Sequence, residues 1–181
     1  YTETAEFLIS RGANIDKADY YGKTALMRAA REGHTEIAEL LLSSGAEVDL
    51  ISEGTDMSAL ILAAKHNHLQ VVMLLCEKGA KVDLENTEGH TALMYAAAYG
   101  CLEVAQYLCV KGAQVNLEGD YRVTALAVAS AGGFNEIEKI LKLSGAPGEI
   151  VNPRVNTCYQ SRDEVLAILP KLFMPRLQNM L

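Results

Sequence analysis

The residues able to do chemistry in this chain are the run His66-Asn67-His68, the four cysteines Cys76, Cys101, Cys109 and Cys158, and a scatter of carboxylates. Paired imidazoles could share a divalent metal, a thiolate beside a histidine could act as a nucleophile, and adjacent carboxylates could exchange protons. None of these sets completes itself. The turn expected at Asn67 should aim the two imidazoles in different directions, and no cysteine or carboxylate stands where it would fill a zinc shell. The cysteines lack the paired short spacings of a metal site. Cys76 and Cys109 hold equivalent places in successive helices, so packing sets them roughly 10 Å apart, beyond disulfide reach. No histidine is placed to activate Cys101 or Cys158. The glycines recur with a fixed period and end helices, so they form no phosphate loop. No catalytic residue, cofactor or metal is expected, and the chain is read as a non-enzyme.

The bulk composition narrows the partners. Half of the 181 residues are apolar and 22% are charged, which excludes disorder. No apolar run approaches the roughly 18 residues that suggest a membrane span. A formal net charge of -7 argues against nucleic acid, whose binding needs a basic surface to displace counterions. Reduced thiols and the lack of a basic, then apolar, leader in Tyr1 to Ser10 suggest an intracellular setting, cytoplasmic or nuclear. The chain opens without methionine, so Tyr1 is not expected to be the natural start.

The elements that must position these residues are legible as a repeat. Thr24-Ala25-Leu26, Ser58-Ala59-Leu60, Thr91-Ala92-Leu93 and Thr124-Ala125-Leu126 are spaced by 34, 33 and 33 residues. Gly12-Ala13, Gly45-Ala46, Gly79-Ala80, Gly112-Ala113 and Gly145-Ala146 step by 33, 34, 33 and 33, which places the one extra residue between Gly45 and Ser58. Thr24, Ser58, Thr91 and Thr124 are N-caps whose hydroxyls can accept a free N–H of the first turn. Alanine pairs such as Ala29-Ala30 and Ala63-Ala64 let neighbouring helices approach. Gly33, Gly100 and Gly133 should end each first helix in the left-handed conformation, with Asn67 substituting in the second unit. A second helix then carries Ile37, Leu40 and Leu41 and their equivalents, an i, i+3, i+4 stripe. Ile15, Val48, Val82 and Val115 anchor an extended finger. No unit buries its apolar face alone, so the units must stack.

Lys23 to Asp49, KTALMRAAREGHTEIAELLLSSGAEVD, resembles the ankyrin family's succession of a Thr-Pro-Leu-His opening, an Ala-Ala pair, a Gly-His turn, a Leu-Leu helix and a Gly-Ala-Asp-Val-Asn ending. The resemblance covers residues 2 to 146 and implies an all-α solenoid of stacked helix-turn-helix units with short β-hairpin fingers. Two departures stand out. Alanine replaces the proline that usually opens the first helix, at little cost. Met27, Ile61, Met94 and Ala127 replace the family's histidine, so weaker finger anchoring is expected. His34 and His68 fall in the Gly-His turn, where a structural hydrogen bond is implied rather than metal binding or catalysis.

The organisation expected is an array over 1–146, with a half repeat at 1–18 and full repeats at about 19–52, 53–85, 86–118 and 119–146. A degenerate capping repeat or docking tail follows at 147–181. Thr2 to Gly12 aligns with Thr35 to Gly45, so the array is expected to extend upstream of Tyr1. In the tail, Ser161 and Glu164 form a capping box before Val165, Leu166, Ile168 and Leu169. The tail's net charge is +1, against -8 for residues 1–146.

The resemblance also implies a binding surface, because ankyrin arrays meet partners on finger tips and the exposed side of the first helix. By register, the finger positions include Tyr20, Tyr21, Lys23, Met57, Glu88, His90, Asp120 and Tyr121. First-helix positions add Arg28, Arg31, Glu32, Lys65, His66, Tyr95 and Tyr99. Five of the eight tyrosines map there. Tyrosine provides large contact area at low entropic cost and is enriched at hot spots; the alternative is that these rings pack against neighbouring fingers. The function expected is recognition of a partner protein or peptide on the concave face by a fragment expected to be monomeric. The alternative is a regulatory or targeting domain within a larger, multidomain protein.

Overall fold

The computed structural model describes residues 2–145, 151–152 and 157–158, with Tyr121 and the residues of 151–152 and 157–158 described in their backbone only. Helix α1 (Thr2–Ser10) precedes four helix pairs: α2 (Ala25–Glu32) with α3 (Thr35–Ser43), α4 (Ala59–Lys65) with α5 (Leu69–Glu77), α6 (Ala92–Ala98) with α7 (Leu102–Val110), and α8 (Ala125–Gly132) with α9 (Asn135–Leu143). Helices α2, α4, α6 and α8 stack in one layer, and α1, α3, α5, α7 and α9 in the other. None exceeds nine residues. Isolated helices shorter than about 12–15 residues are marginal in water, so packing between units holds these together.

The caps fall where the repeat places them. The hydroxyls of Thr24, Ser58, Thr91 and Thr124 accept from the backbone N–H three residues on, at 3.2–3.4 Å. Gly33, Gly100 and Gly133 take φ of 76°, 71° and 74°, and Asn67 takes 59°. Gly33 and Gly100 have a second role: a Cβ would lie 2.5 Å from the His68 ring and 2.4 Å from the Phe134 ring. Each turn therefore seats the aromatic residue of the following unit. His68 Nε2 reaches the Arg31 carbonyl oxygen at 2.9 Å, the structural bond implied for the Gly-His turn.

The core runs the length of the stack. Ala30, Ala63, Ala64, Ala96, Ala97 and Ala129 are fully buried where the first helices touch, and Leu41, Leu75, Leu108 and Leu141 seal the second layer. Each such leucine contributes about 1.5–3 kcal/mol. Aspartates tie successive units together: Asp16 accepts from Glu47 N, Asp49 from Lys81 N and Asp83 from Gln114 N, at 2.9–3.1 Å.

The fingers are tighter than the hairpins expected. Each is a reversal closed by a backbone bond across its ends, Asp19 N to Lys23 O, Ser52 N to Met57 O, Asn86 N to His90 O and Gly119 N to Val123 O, with a second, inner bond returning to the first residue's carbonyl from Gly22, Asp56, Gly89 and Arg122 N. The bridge Ile51–Ser58 is the one strand-like pairing among them. The second loop is a residue wider than the others, so the extra residue lies between Ser52 and Met57. Where the family's histidine is missing, the Thr24 N–H meets Met27 Sδ at 3.5 Å, a weak acceptor in its place.

Past α9, β1 (Val151–Asn152) pairs antiparallel with β2 (Thr157–Cys158). The capping box Ser161–Glu164 and the helices expected after it lie outside the described residues.

Candidate functional site

Asp19 organises the first finger. Its carboxylate accepts from the backbone N–H groups of Tyr21 at 2.8 Å and Lys23 at 3.0 Å, and from Arg28 Nε at 2.6 Å. It thereby fixes three of the residues expected at the surface. The Lys23 N–H, with the Arg28 and Tyr21 bonds, holds its pKa below the usual carboxylate value against the opposing effect of burial. Asn86 does the same work in the third finger, accepting from Glu88 N at 3.2 Å and His90 N at 2.7 Å. Sequence reasoning passed over both; the signal was an Asx side chain at the start of a tight reversal.

The fingers pack on one another through near-bare backbone. A Cβ on Gly22 would stand 2.7 Å from Gly54 N, and one on Gly89 3.1 Å from Gly119 Cα. Asp120 N donates to Glu88 O at 2.8 Å across the latter joint. Between the second and third fingers, Asp56, at φ 53°, accepts from the Thr87 backbone N–H at 3.1 Å.

Tyr20 is 96% exposed at the first finger tip and Tyr21 61%, their rings meeting edge-on at 5.4 Å. Tyr99 is 37% exposed at the C-cap of α6, its repeat's first helix. Lys65 Nζ lies over the Tyr99 ring at 5.3 Å and the Tyr95 ring at 5.7 Å, cation–π contacts. Burial, then Arg31 and Lys23, holds the Lys65 pKa below its usual value; burial, then Arg31 and Arg28, does the same for Lys23. These cations therefore share one field on the first helices of the first two full repeats. Arg28 is paired with Asp19, and Arg31 Nε lies 3.6 Å from Glu32. Met57 is half-buried against the core, and Asp120 is exposed. The side chain of Tyr121 lies outside the described residues.

Three expectations need correction. His90 is fully buried and Tyr95 is 1% exposed, so neither is the surface residue its register suggested. Their rings meet at 6.1 Å, and the Tyr95 hydroxyl bonds the Asn86 side chain. Burial pushes the Tyr95 pKa up. The His66 and His68 rings were expected to diverge but lie within 22° of parallel at 6.4 Å, because the left-handed Asn67 between them returns both side chains to one side. His68 Nε2 is committed to the Arg31 carbonyl, and burial, then Lys65 and Arg31, lowers the His66 pKa. Among the described residues no three His, Cys, Asp or Glu side chains converge as a metal site, and burial raises the thiol pKa values of Cys76, Cys101 and Cys109.

His90 supplies a pH prediction. Its Nδ1 lies 3.4 Å from Glu88 Oε2, but burial prevails and its pKa falls below 6.5, with Asp120 and Asp56 opposing. The folded state therefore keeps the imidazole neutral, while the unfolded chain takes up a proton near pH 6.5. This stabilisation is complete above that pH and is lost as pH falls below it. Urea midpoints should drop between pH 7.5 and 5.5. His90→Met, the residue of the equivalent position in the second repeat, should flatten most of that slope.

No helix among the described residues is long and apolar enough to cross a membrane. No curated protein matches the chain. The model of a family described as ankyrin repeats (3 copies) matches residues 1–52 and 49–119. Stacked helix pairs, left-handed turns and inter-repeat aspartates agree with that match across the majority of the sequence, and the chain belongs to the ankyrin-repeat family.

Proposed function

We propose that this array is a non-catalytic recognition module that binds a partner protein or peptide on its concave face, centred on the end formed by Tyr20, Tyr21, Lys23, Arg31, Lys65 and Tyr99. The observation that carries it is the exposure of Tyr20 and Tyr21 at a finger tip pinned by Asp19. A ring held out in water by a rigid turn gives nothing to the fold, yet is pre-organised to bury area against a partner. Tyr99, with Lys65 over its ring, extends the surface across the first helices. The cations suit a partner segment that brings carboxylates among apolar side chains.

The full chain carrying Tyr20→Ala, Tyr21→Ala and Tyr99→Ala should capture the partner from native lysate at least tenfold more weakly than the unaltered chain. Its melting temperature should hardly move. Unchanged capture with the fold intact would sink the assignment.

A further inference from the structure

An isolated lysine on an exposed helix face is solvated and needs no partner. Lys23 and Lys65 are neither isolated nor fully solvated: both are half-buried, and neither makes an ion pair among the described residues. Arg31 has only its exposed neighbour Glu32, whose carboxylate lies 3.6 Å from Nε, too long for a hydrogen bond and weak as a surface pair. Arg28, by contrast, is held by Asp19 through its Nε at 2.6 Å. Arg31 and Lys65 occupy the same register of α2 and α4, which pack side by side, so their backbones stand about 8–10 Å apart. Lys23 immediately precedes the Thr24 cap of α2.

The three cations repel one another. Burial and then Arg31 hold down the pKa of both lysines, Lys23 adds to the effect on Lys65, and burial followed by Lys65 and Arg31 does the same to His66. The Lys65 ammonium lies 5.3 Å from the Tyr99 ring and 5.7 Å from the Tyr95 ring, so the field stands over the first helices, beside an exposed aromatic edge. Asp19 and Glu32 are the carboxylates that act on Lys23. Set against Lys23, Arg28, Arg31 and Lys65, they leave a local surplus of two positive charges in a chain of net charge -7. One carboxylate would meet half of it. A phosphate monoester carries about -1.5 to -2 at pH 7 and three acceptor oxygens; the Arg31 fork can take two of them while the lysines act as point charges. The acidic remainder of the chain repels an extended polyanion or an anionic membrane surface, whereas a single phosphoryl group on a peptide meets only the local surplus.

We propose that Lys23, Arg31 and Lys65 form a binding site for one phosphorylated side chain of the partner segment, with Tyr21 and Tyr99 left to meet the apolar residues beside it. This rests on the concave-face recognition proposed above and adds the chemical class of the group recognised there.

The test presents the labelled full chain to an array of degenerate peptides centred on phosphoserine, phosphothreonine or phosphotyrosine, each beside an unphosphorylated and a glutamate-centred twin. Retention on one of the phosphorylated sets should exceed that on both twins by at least about tenfold. Lys65→Met, which keeps an apolar stem against the tyrosine rings, and Arg31→Gln should each lower it at least about fivefold with the melting temperature unmoved. Lys78→Gln, at the C-cap of α5 in the outer layer, should leave it unchanged. Phenyl phosphate gives a check that needs no variant: it should shift the Lys65 and Arg31 side-chain N–H signals of the unaltered chain at concentrations about tenfold lower than phenylacetate does. Equal retention on the glutamate twins, retention indifferent to Lys65→Met and Arg31→Gln, or phenyl phosphate shifts confined to other residues would each overturn the site. Sedimentation with phosphatidylcholine vesicles containing a phosphatidylinositol bisphosphate, without retention on any phosphopeptide, would overturn the peptide as the source of the phosphate. Failure of the concave-face reading shows separately, as partner capture that survives Tyr20→Ala, Tyr21→Ala and Tyr99→Ala. Capture that is lost with those tyrosines but unchanged by phosphatase treatment of the lysate would remove the phosphate alone.

Discussion

Tyr95→Ala is expected to destabilise the protein by about 3–5 kcal/mol, the usual cost of deleting a large buried aromatic side chain. The ring is 1% exposed, meets His90 edge-on and hydrogen-bonds Asn86 through its hydroxyl. Asn86 in turn holds the backbone of the third finger, so the loss should spread from α6 into that finger. Tyr95→Phe removes only the hydroxyl bond and should cost about 1 kcal/mol. Arg28→Ala, at the same register two repeats earlier but exposed, should fall within about 0.5–1 kcal/mol of zero, the range of a surface ion pair. Urea unfolding of the three variants gives the comparison. A loss below about 1 kcal/mol for Tyr95→Ala, accompanied by lost partner binding, would return this residue to the groove surface.

Gly54→Ala is expected to cost about 1–3 kcal/mol, as overpacking does where nothing can yield. An added Cβ would lie 1.9 Å from Tyr21 O and 2.7 Å from Tyr21 C. Both are backbone atoms, so the first two fingers must separate. Gly45→Ala is the control: its Cβ meets nothing within 4 Å but its φ is 94°, so it should show the left-handed penalty alone, about 1–2 kcal/mol. The two differ in a second way. Displacing the first finger moves Tyr20 and Tyr21, so Gly54→Ala should weaken partner binding, whereas Gly45→Ala should not. Calorimetric melting beside a capture assay separates them.

The repeat was legible because its signals are local. Thr24 and its equivalents cap helices by hydroxyl chemistry, Asn67 tolerates a left-handed φ, and alanine pairs fit a close helix contact, all within a few residues of chain. The concave face was less legible because register says which column a residue belongs to, not what lies over it. His90 and Tyr95 occupy the columns of Lys23 and Arg28, yet His90 lies beneath the next finger at Gly119 and against the Tyr95 ring, contacts that register does not reveal. Asp19 and Asn86 were less legible because they act through bonds to the backbone of the displaying turn, so they hold the display without standing at a displayed position themselves. The near-parallel His66 and His68 rings were missed because a turn was assumed to splay side chains, whereas a left-handed residue between them does the reverse.

The central claim is that partner recognition lies on the concave face, at the tyrosine and lysine end of the first two full repeats. Amide chemical-shift mapping of the full chain, titrated with the captured partner's binding segment, tests it most directly. The largest shifts are expected at Tyr20, Tyr21, Lys23, Arg31, Lys65 and Tyr99, with the outer layer near Val110 and Leu143 unmoved. Shifts concentrated on α3, α5 and α7, with the first finger silent, would contradict it.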